Sequence, residues 1–169
     1  DGVLKLDVKL NSADSADNNF VIKASLFDND QEIYAEEKNV KLKNSSNTVN
    51  FIRQFPGINK WTAETPKLYS LVLTLKDNSG KVLECVSSKI GFRKVEIINS
   101  RLLVNGVPVL LKGTNMHEHH DVTGHVVDEA TILKDIRIMK SNNINAVRTS
   151  HYPQQELWYE MCDRYGLYL

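Results

Sequence analysis

Asn145-Ala-Val-Arg-Thr-Ser-His-Tyr-Pro153, with the run that continues to Leu169, decides how the second half of this chain is read. Asn145 to Val147 is short, apolar and able to form a strand. Arg148, Thr149, Ser150 and His151 then place four polar side chains where that strand ends. Pro153 suits the first turn of a helix, where its missing N–H would be unsatisfied anyway. From it, Leu157, Trp158, Met161, Cys162 and Tyr165 recur at helical spacing, giving one apolar face. Gly166 stands where a left-handed C-cap is wanted, and Leu167 to Leu169 resumes an extended apolar run. In β/α architectures ligands bind at the C-terminal edge of the strands. The polar corner is therefore the first place to look for function.

The preceding residues carry the same pattern. Arg101 to Val104 and Val107 to Leu111 flank Asn105-Gly106, a two-residue hairpin signal. Lys112-Gly-Thr-Asn115 leaves that strand and enters His117-Glu-His-His120. Asp128 can cap a helix with Glu129 beside it in the favourable first turn. Ile132, Leu133, Ile136 and Met139 form its apolar stripe, Asn142-Asn143 stops it, and Ile144 to Val147 is the next strand. Strand, helix, strand, helix, strand argues for a parallel sheet with crossover helices. A (β/α)8 TIM barrel takes about 250 residues. Residues 95–169 are therefore expected to be the opening units of an incomplete barrel, broken off within a strand.

Residues 1–94 read differently, as an all-β immunoglobulin-like sandwich. Leu4, Leu6, Val8 and Leu10 alternate with polar residues, as do Phe20, Ile22, Ala24 and Leu26. The polar run Asn11 to Asn19 is a loop, Asp28-Asn-Asp30 a turn, and Asn44-Ser-Ser-Asn47 a break. Weaker strands are expected at Ile33–Ala35 and Val40–Leu42, and an extended segment at Thr48–Phe55. Tyr69 to Lys76 and Lys81 to Ile90 form a hairpin about Asp77-Asn-Ser-Gly80. No helical pattern occurs here. Trp61-Thr-Ala-Glu-Thr-Pro-Lys-Leu-Tyr69 reads as an aromatic plug over one end of the sandwich, with Pro66 setting a turn.

Composition narrows the class without naming a function. The chain has 169 residues, 41% hydrophobic and 25% charged, which is ordinary for a soluble globular protein. Lys plus Arg and Asp plus Glu both number 21, so no net charge favours nucleic acid or an acidic membrane surface. No apolar run reaches membrane-span length, and Asp1-Gly-Val-Leu is no signal peptide. Compartment stays open between cytoplasm and periplasm. Cys85 and Cys162 read as small buried hydrophobes rather than a disulfide.

His117-Glu-His-His120 is the densest polar cluster. Imidazoles and a carboxylate suit zinc, but His117 and His119 at i, i+2 share no helix face, so no metal site is expected. A solvated surface loop is the plain alternative. Placement favours a role: His117 and His151 follow successive parallel strands and should share one rim. A neutral imidazole donates at one nitrogen and accepts at the other, which suits sugar hydroxyls. Glu118 is read as a supporting partner, Glu129 and Glu156 as first-turn residues, and Asp163 as a structural residue at a helix end.

Asn-x-x-Arg-Thr-Ser-His-Tyr-Pro, followed by Trp158-Tyr159, Asp163 and Gly166, resembles a signature of glycoside hydrolase family 2. Trp61-x-x-Glu-x-Pro-x-Leu-Tyr69 and Gly91-Phe-Arg93 resemble the sandwich domain that precedes the barrel in that family. Asn115-Met-His-Glu-His-His120 resembles its β-galactosidase branch, with Met116 for the usual Arg and Asp121 where Pro is frequent. The resemblance implies a retaining glycosidase acting on terminal β-galactosides, as a homo-oligomer. β-Glucuronidase specificity, or a non-catalytic sugar-binding module formed by the sandwich, are the alternatives. His117 and His151 would line the sugar pocket, supported by Asn115, Glu118 and Arg148, with Arg148 near the family's nucleophilic glutamate. A salt bridge from strand to helix is the structural alternative for Arg148. Both catalytic glutamates, and any Mg2+ ligands of the parent, would lie beyond Leu169. The chain alone is expected to be inactive, and its exposed apolar faces to self-associate or dock.

Overall fold

The computed structural model describes residues 1–12, 19–42 and 46–169. The loop expected between Asn11 and Asn19 and the first part of the break at Asn44–Asn47 lie outside the described residues. The chain divides into two units, Asp1–Asn59 with Leu68–Phe92 and Lys60–Lys67 with Arg93–Leu169.

The first unit holds β1 (Gly2–Asn11), β2 (Asn19–Asp28), β3 (Gln31–Lys41), β4 (Ser46–Phe55), β5 (Tyr69–Asp77) and β6 (Val82–Ile90). An antiparallel sheet in the order β3-β2-β5-β6 faces a second sheet, β1-β4. The alternation of β1 does what its sequence implies: Leu4 points inward and Lys5 outward, and Leu6 joins the core. Leu4, Leu26, Tyr69, Leu71 and Phe92 form one core cluster, and Ile22, Ala24, Val40, Val49 and Phe51 another. The result is the expected immunoglobulin-like sandwich.

Two details depart from the sequence reading. Ile33–Ala35 and Val40–Leu42 are not separate strands, because β3 runs unbroken through the polar stretch between them. Its ladder with β2 pairs Ala24 with Glu36 and Lys23 with Glu37, so backbone bonding holds the stretch extended. Glu37 adds an ion pair with Lys76 at 2.8 Å. The second departure is Cys85, which is exposed rather than buried. It lies on β6, an edge strand whose residues contribute only Ile90 to the core. Both cysteines are free.

The second unit begins with an antiparallel sheet of β7 (Val95–Ile98), β8 (Arg101–Val104) and β9 (Val107–Pro108). Asn105 and Gly106 both have positive φ, 55° and 82°, as a type I′ hairpin turn demands. β9 stops at Pro108, short of the expected Leu111, with one further backbone bond from the Val109 N–H to the Leu102 carbonyl at 3.0 Å. β10 (Gly113–Met116) and β11 (Ala146–Thr149) then pair in parallel, joined through α1 (Glu129–Ser141) and followed by α2 (Glu156–Tyr165). A parallel bridge from Ala146 to Tyr168 starts a third strand. This is the expected opening of a TIM barrel.

Local chemistry sets both helices. Asp128 caps α1 by accepting a hydrogen bond from the Thr131 N–H at 2.9 Å, and Asn142 and Asn143 end it. α2 starts later than Pro153 suggests. Gln155 is its N-cap residue, and that side chain donates to the Val127 carbonyl at 2.9 Å instead of capping. Ile132, Ile136 and Met139 of α1 pack with Trp158, Met161 and Cys162 of α2 and with Val147. Each such side chain stabilises the fold by about 1.5–3 kcal/mol when fully buried. Burial also pushes the Cys162 thiol up to about 12, so this cysteine stays a neutral core residue. No helix among the described residues is long and apolar enough to cross a membrane.

The Trp61 segment belongs to the second unit rather than to the sandwich. Trp61 is buried, and its indole N–H donates to the Asp163 carbonyl at 2.7 Å. Arg93 lies over its ring at 4.7 Å, and Tyr168 meets it edge-on. Lys140 Nζ donates to the carbonyls of Ala63 and Gly166 at 2.9 and 3.1 Å, tying the segment to the end of α2. Gly166 caps α2 at φ 78° and ψ 62°, and any Cβ there would overlap the Ala63 carbonyl. Gly166→Ala should therefore destabilise the second unit by clearly more than the ~1–2 kcal/mol of a left-handed L-residue. Gly106→Ala, also left-handed but with open space around it, should stay near that figure. Urea unfolding followed by fluorescence tests this, since Trp61 and Trp158 both lie in this unit. Equal losses would discount the overlap with Ala63.

Candidate functional site at the strand ends

The register of β10 on β11 places every residue of interest. Asn115 stands opposite Arg148 and Met116 opposite Thr149, so His117 and the Ser150-His151-Tyr152 corner leave the sheet together. Asn145 clamps the entry of this ladder. Its Oδ1 accepts from the Lys112 N–H at 2.8 Å, and its Nδ2 donates to the Leu110 carbonyl at 3.0 Å. Buried Ser150 clamps the exit, donating to the Met116 carbonyl from its N–H at 2.9 Å and from its hydroxyl at 3.2 Å. The Ser150–His151 peptide is cis.

Of the residues singled out from sequence, Asn115, His117, Arg148 and His151 are all exposed at or beside this rim. Across the two strand ends it is Tyr152 that meets His117, ring edge to ring face, with centroids 5.4 Å apart. His151 is exposed and forms no hydrogen bond with the described residues. Arg148 makes no ion pair with the described residues, so the strand-to-helix salt bridge is not formed. Glu118 contributes through its backbone: its carbonyl receives the Nδ1 atoms of His117, His119 and His125 at 3.3, 2.8 and 2.7 Å.

His125 had no part in the sequence reading. A tight turn carries it back: the His120 N–H donates to the Gly124 carbonyl at 2.8 Å and the Gly124 N–H to the His120 carbonyl at 3.0 Å. His120 Nδ1 accepts from the N–H groups of Val122 and Thr123, both at 3.2 Å, and so braces the turn. With His120 and Gly124 bridged antiparallel, His119 and His125 fall opposite one another. Their rings lie 5.0 Å apart, and that of His117 lies 4.7 Å from His119 and 5.4 Å from His125. The i, i+2 spacing that spoils a helix face suits this non-helical loop, because extended chain repeats its faces every two residues. Gly124 between the histidines was the readable signal.

Beneath the loop is a small cavity lined by Met116, His117, Glu118, Val127, Asp135 and Trp158. Its interior takes water-sized spheres over only about 20 Å³, room for a single water. The cavity is too small to take a sugar ring. Desolvation raises the Asp135 carboxyl above the usual carboxylate range, partly offset by Lys134. The Trp158 indole N–H and Gln154 Oε1 are buried without a hydrogen-bond partner among the described residues.

The comparisons fit this architecture. Residues 1–93 match the family model described as glycosyl hydrolases family 2, and residues 95–169 the model for the TIM barrel domain of that family. The chain belongs to glycoside hydrolase family 2. Within the family, the β-galactosidase of Alteromonas mediterranea is 55% identical over 109 residues, covering 64% of this chain and 10% of that relative. The β-galactosidase of Pseudoalteromonas haloplanktis is 54% identical over 110 residues, covering 65% and 11%. The chain thus spans about a tenth of the length of these relatives. Among solved structures, a family 2 member from Bacteroides cellulosilyticus superposes with a TM-score of 0.90 at 23% identity, covering 98% of this chain and 23% of that one. The Bacteroides uniformis β-glucuronidase gives 0.88 at 24%, covering 98% and 20%. These structural likenesses speak for the fold alone.

The clamp at the ladder entry can be tested directly. Asn145→Ala removes both side-chain bonds and leaves the Lys112 N–H and the Leu110 carbonyl unmatched. It should lower stability by about 1–3 kcal/mol. Amide exchange should quicken at residues 113–116 and 146–149, while the sandwich strands keep their protection. Unchanged exchange along both strands would show that the side chain does not set the ladder.

Proposed function

We propose that the protein containing this chain is a retaining family 2 glycosidase acting on terminal β-D-galactosides, with the rim of β10 and β11 forming one side of its sugar pocket. The observation that carries the reading is the identity of 54–55% to β-galactosidases over about two thirds of the chain. His151 brings a donor and an acceptor to the sugar hydroxyls, and His117, whose Nδ1 meets the Glu118 carbonyl, brings its Nε2. Tyr152 packs against His117 edge to face. Asn115 and Arg148, side by side on the paired strands, would support the pocket floor; Arg148 would hold a neighbouring carboxylate ionised through its fixed charge. Glu118 shapes the rim through its carbonyl.

A retaining glycosidase needs an acid/base carboxyl and a nucleophilic carboxylate about 5–5.5 Å apart. By family resemblance both glutamates come from other strands of the barrel, so this chain alone is proposed to have no hydrolase activity. A homo-oligomeric parent is part of the same reading. Mg2+ is the other expectation of the resemblance. It demands oxygen ligands in near-octahedral order, whereas the only grouping of three or more ligand-type side chains among the described residues is the all-imidazole set His117, His119 and His125. These residues do not fit Mg2+.

The test uses the full-length protein on chromogenic β-galactoside and β-glucuronide. Galactoside turnover should dominate, and His151→Ala should lower kcat/KM for galactoside by about 100-fold or more, the equivalent of roughly 3 kcal/mol of transition-state binding. Preference for the glucuronide would transfer the specificity to that branch. Unchanged galactoside turnover in His151→Ala would remove His151 from the pocket.

A further inference from the structure

We propose that His117, His119 and His125 form a binding site for a divalent transition-metal cation of the zinc class. One ligand-capable nitrogen from each ring lies within 4.8 Å of the other two. All three Nδ1 atoms crowd the Glu118 carbonyl oxygen. That oxygen has two lone pairs and cannot take three N–H groups at full strength. With its proton on Nε2 instead, each ring turns an Nδ1 lone pair into the same small volume, where one cation can accept all three.

The donor set selects the metal. Three imidazoles suit Zn2+, Cu2+, Ni2+ and Co2+, and not the oxygen-preferring Mg2+ or Ca2+. Zn–N bonds of about 2.0–2.1 Å in tetrahedral order put ligand nitrogens about 3.3 Å apart, so the rings need close by only roughly 1.5 Å. All three are exposed on a loop, where side-chain rotation achieves this without moving a strand. The His120–Gly124 turn fixes the frame: it sets His125 opposite His119, and it occupies His120 Nδ1 with backbone donors, excluding that ring from the set. A neutral imidazole binds through its lone-pair nitrogen and keeps its proton on the other. Three ligands leave a fourth position open to water. The site goes beyond the glycosidase reading, since His119 and His125 have no part in sugar recognition.

Zn2+ binding to the purified full chain by calorimetry, together with the visible absorption of its Co2+ form, tests the site. The expected result is one ion per chain with a Kd in the micromolar range or below, and Co2+ bands of a nitrogen-ligated, low-coordinate centre. His119→Ala and His125→Ala should each weaken binding at least about tenfold. His151→Ala, at the rim but outside the cluster, should bind as the parent does. Both alanine positions are exposed, and circular dichroism checks that each variant is folded. Absence of saturable binding up to about 100 µM Zn2+ would overturn the site. Binding equally tight in both folded variants would also overturn it, by placing the ion elsewhere.

Discussion

The second unit depends on one constraint, the in-phase pairing of β10 with β11. A parallel ladder offers slanted, evenly spaced bonds and is weaker per residue than an antiparallel one, and here it is four residues long on each strand. Backbone pairing alone would specify such a short register poorly. A slip of one residue would turn every side chain to the other face: Val147 would leave the core it shares with Trp158 and Leu167, and Arg148 would enter it. Side chains at both ends forbid the slip. Asn145 reads the backbone before β10 with its donor and its acceptor, and Ser150 reads the last carbonyl of β10.

The same unit recruits a segment from far away in sequence. Trp61 and Ala63 lie about a hundred residues from the partners they meet at Asp163 and Gly166. The loop-closure entropy of such a contact grows only slowly with separation. One fully buried indole, its N–H satisfied, a cation over its face and a lysine bridging two carbonyls are together enough to hold it. Gly166 is central because it does two jobs at once. It ends α2 in a conformation that L-residues resist, and it leaves the room the Ala63 carbonyl occupies.

Features written in adjacent residues were legible from the sequence. Asp128 as a cap, Asn105-Gly106 as a hairpin, Gly166 as a stop and the alternation of β1 each follow from the chemistry of a few neighbours, and the structure holds all of them. Features that need a distant partner were not. The Trp61 stretch carries an aromatic signal, but nothing local says which surface the ring will enter. Cys85 looks buried by pattern, yet β6 is an edge strand and the opposing sheet is only β1 and β4. The site divides the same way. The placement of His117 and His151 was visible because each follows a strand, whereas His125 joins the histidine cluster only once the His120–Gly124 turn folds back.

That turn explains why four of the five histidines can cluster on one short loop. Imidazoles repel one another only when charged, and while neutral they need partners for both nitrogens. The fold supplies backbone partners on one side: His120 accepts from two N–H groups, while the other three direct Nδ1 at one carbonyl. Every Nε2 is then left free of the loop's own hydrogen bonds. A rim of two strand ends with a cavity fit for one water cannot enclose a sugar. It can present aimed, half-satisfied nitrogens, and these are groups that a hydroxyl or a borderline cation completes at little reorganisation cost. The frame that carries those nitrogens is the ladder held by the clamps at Asn145 and Ser150.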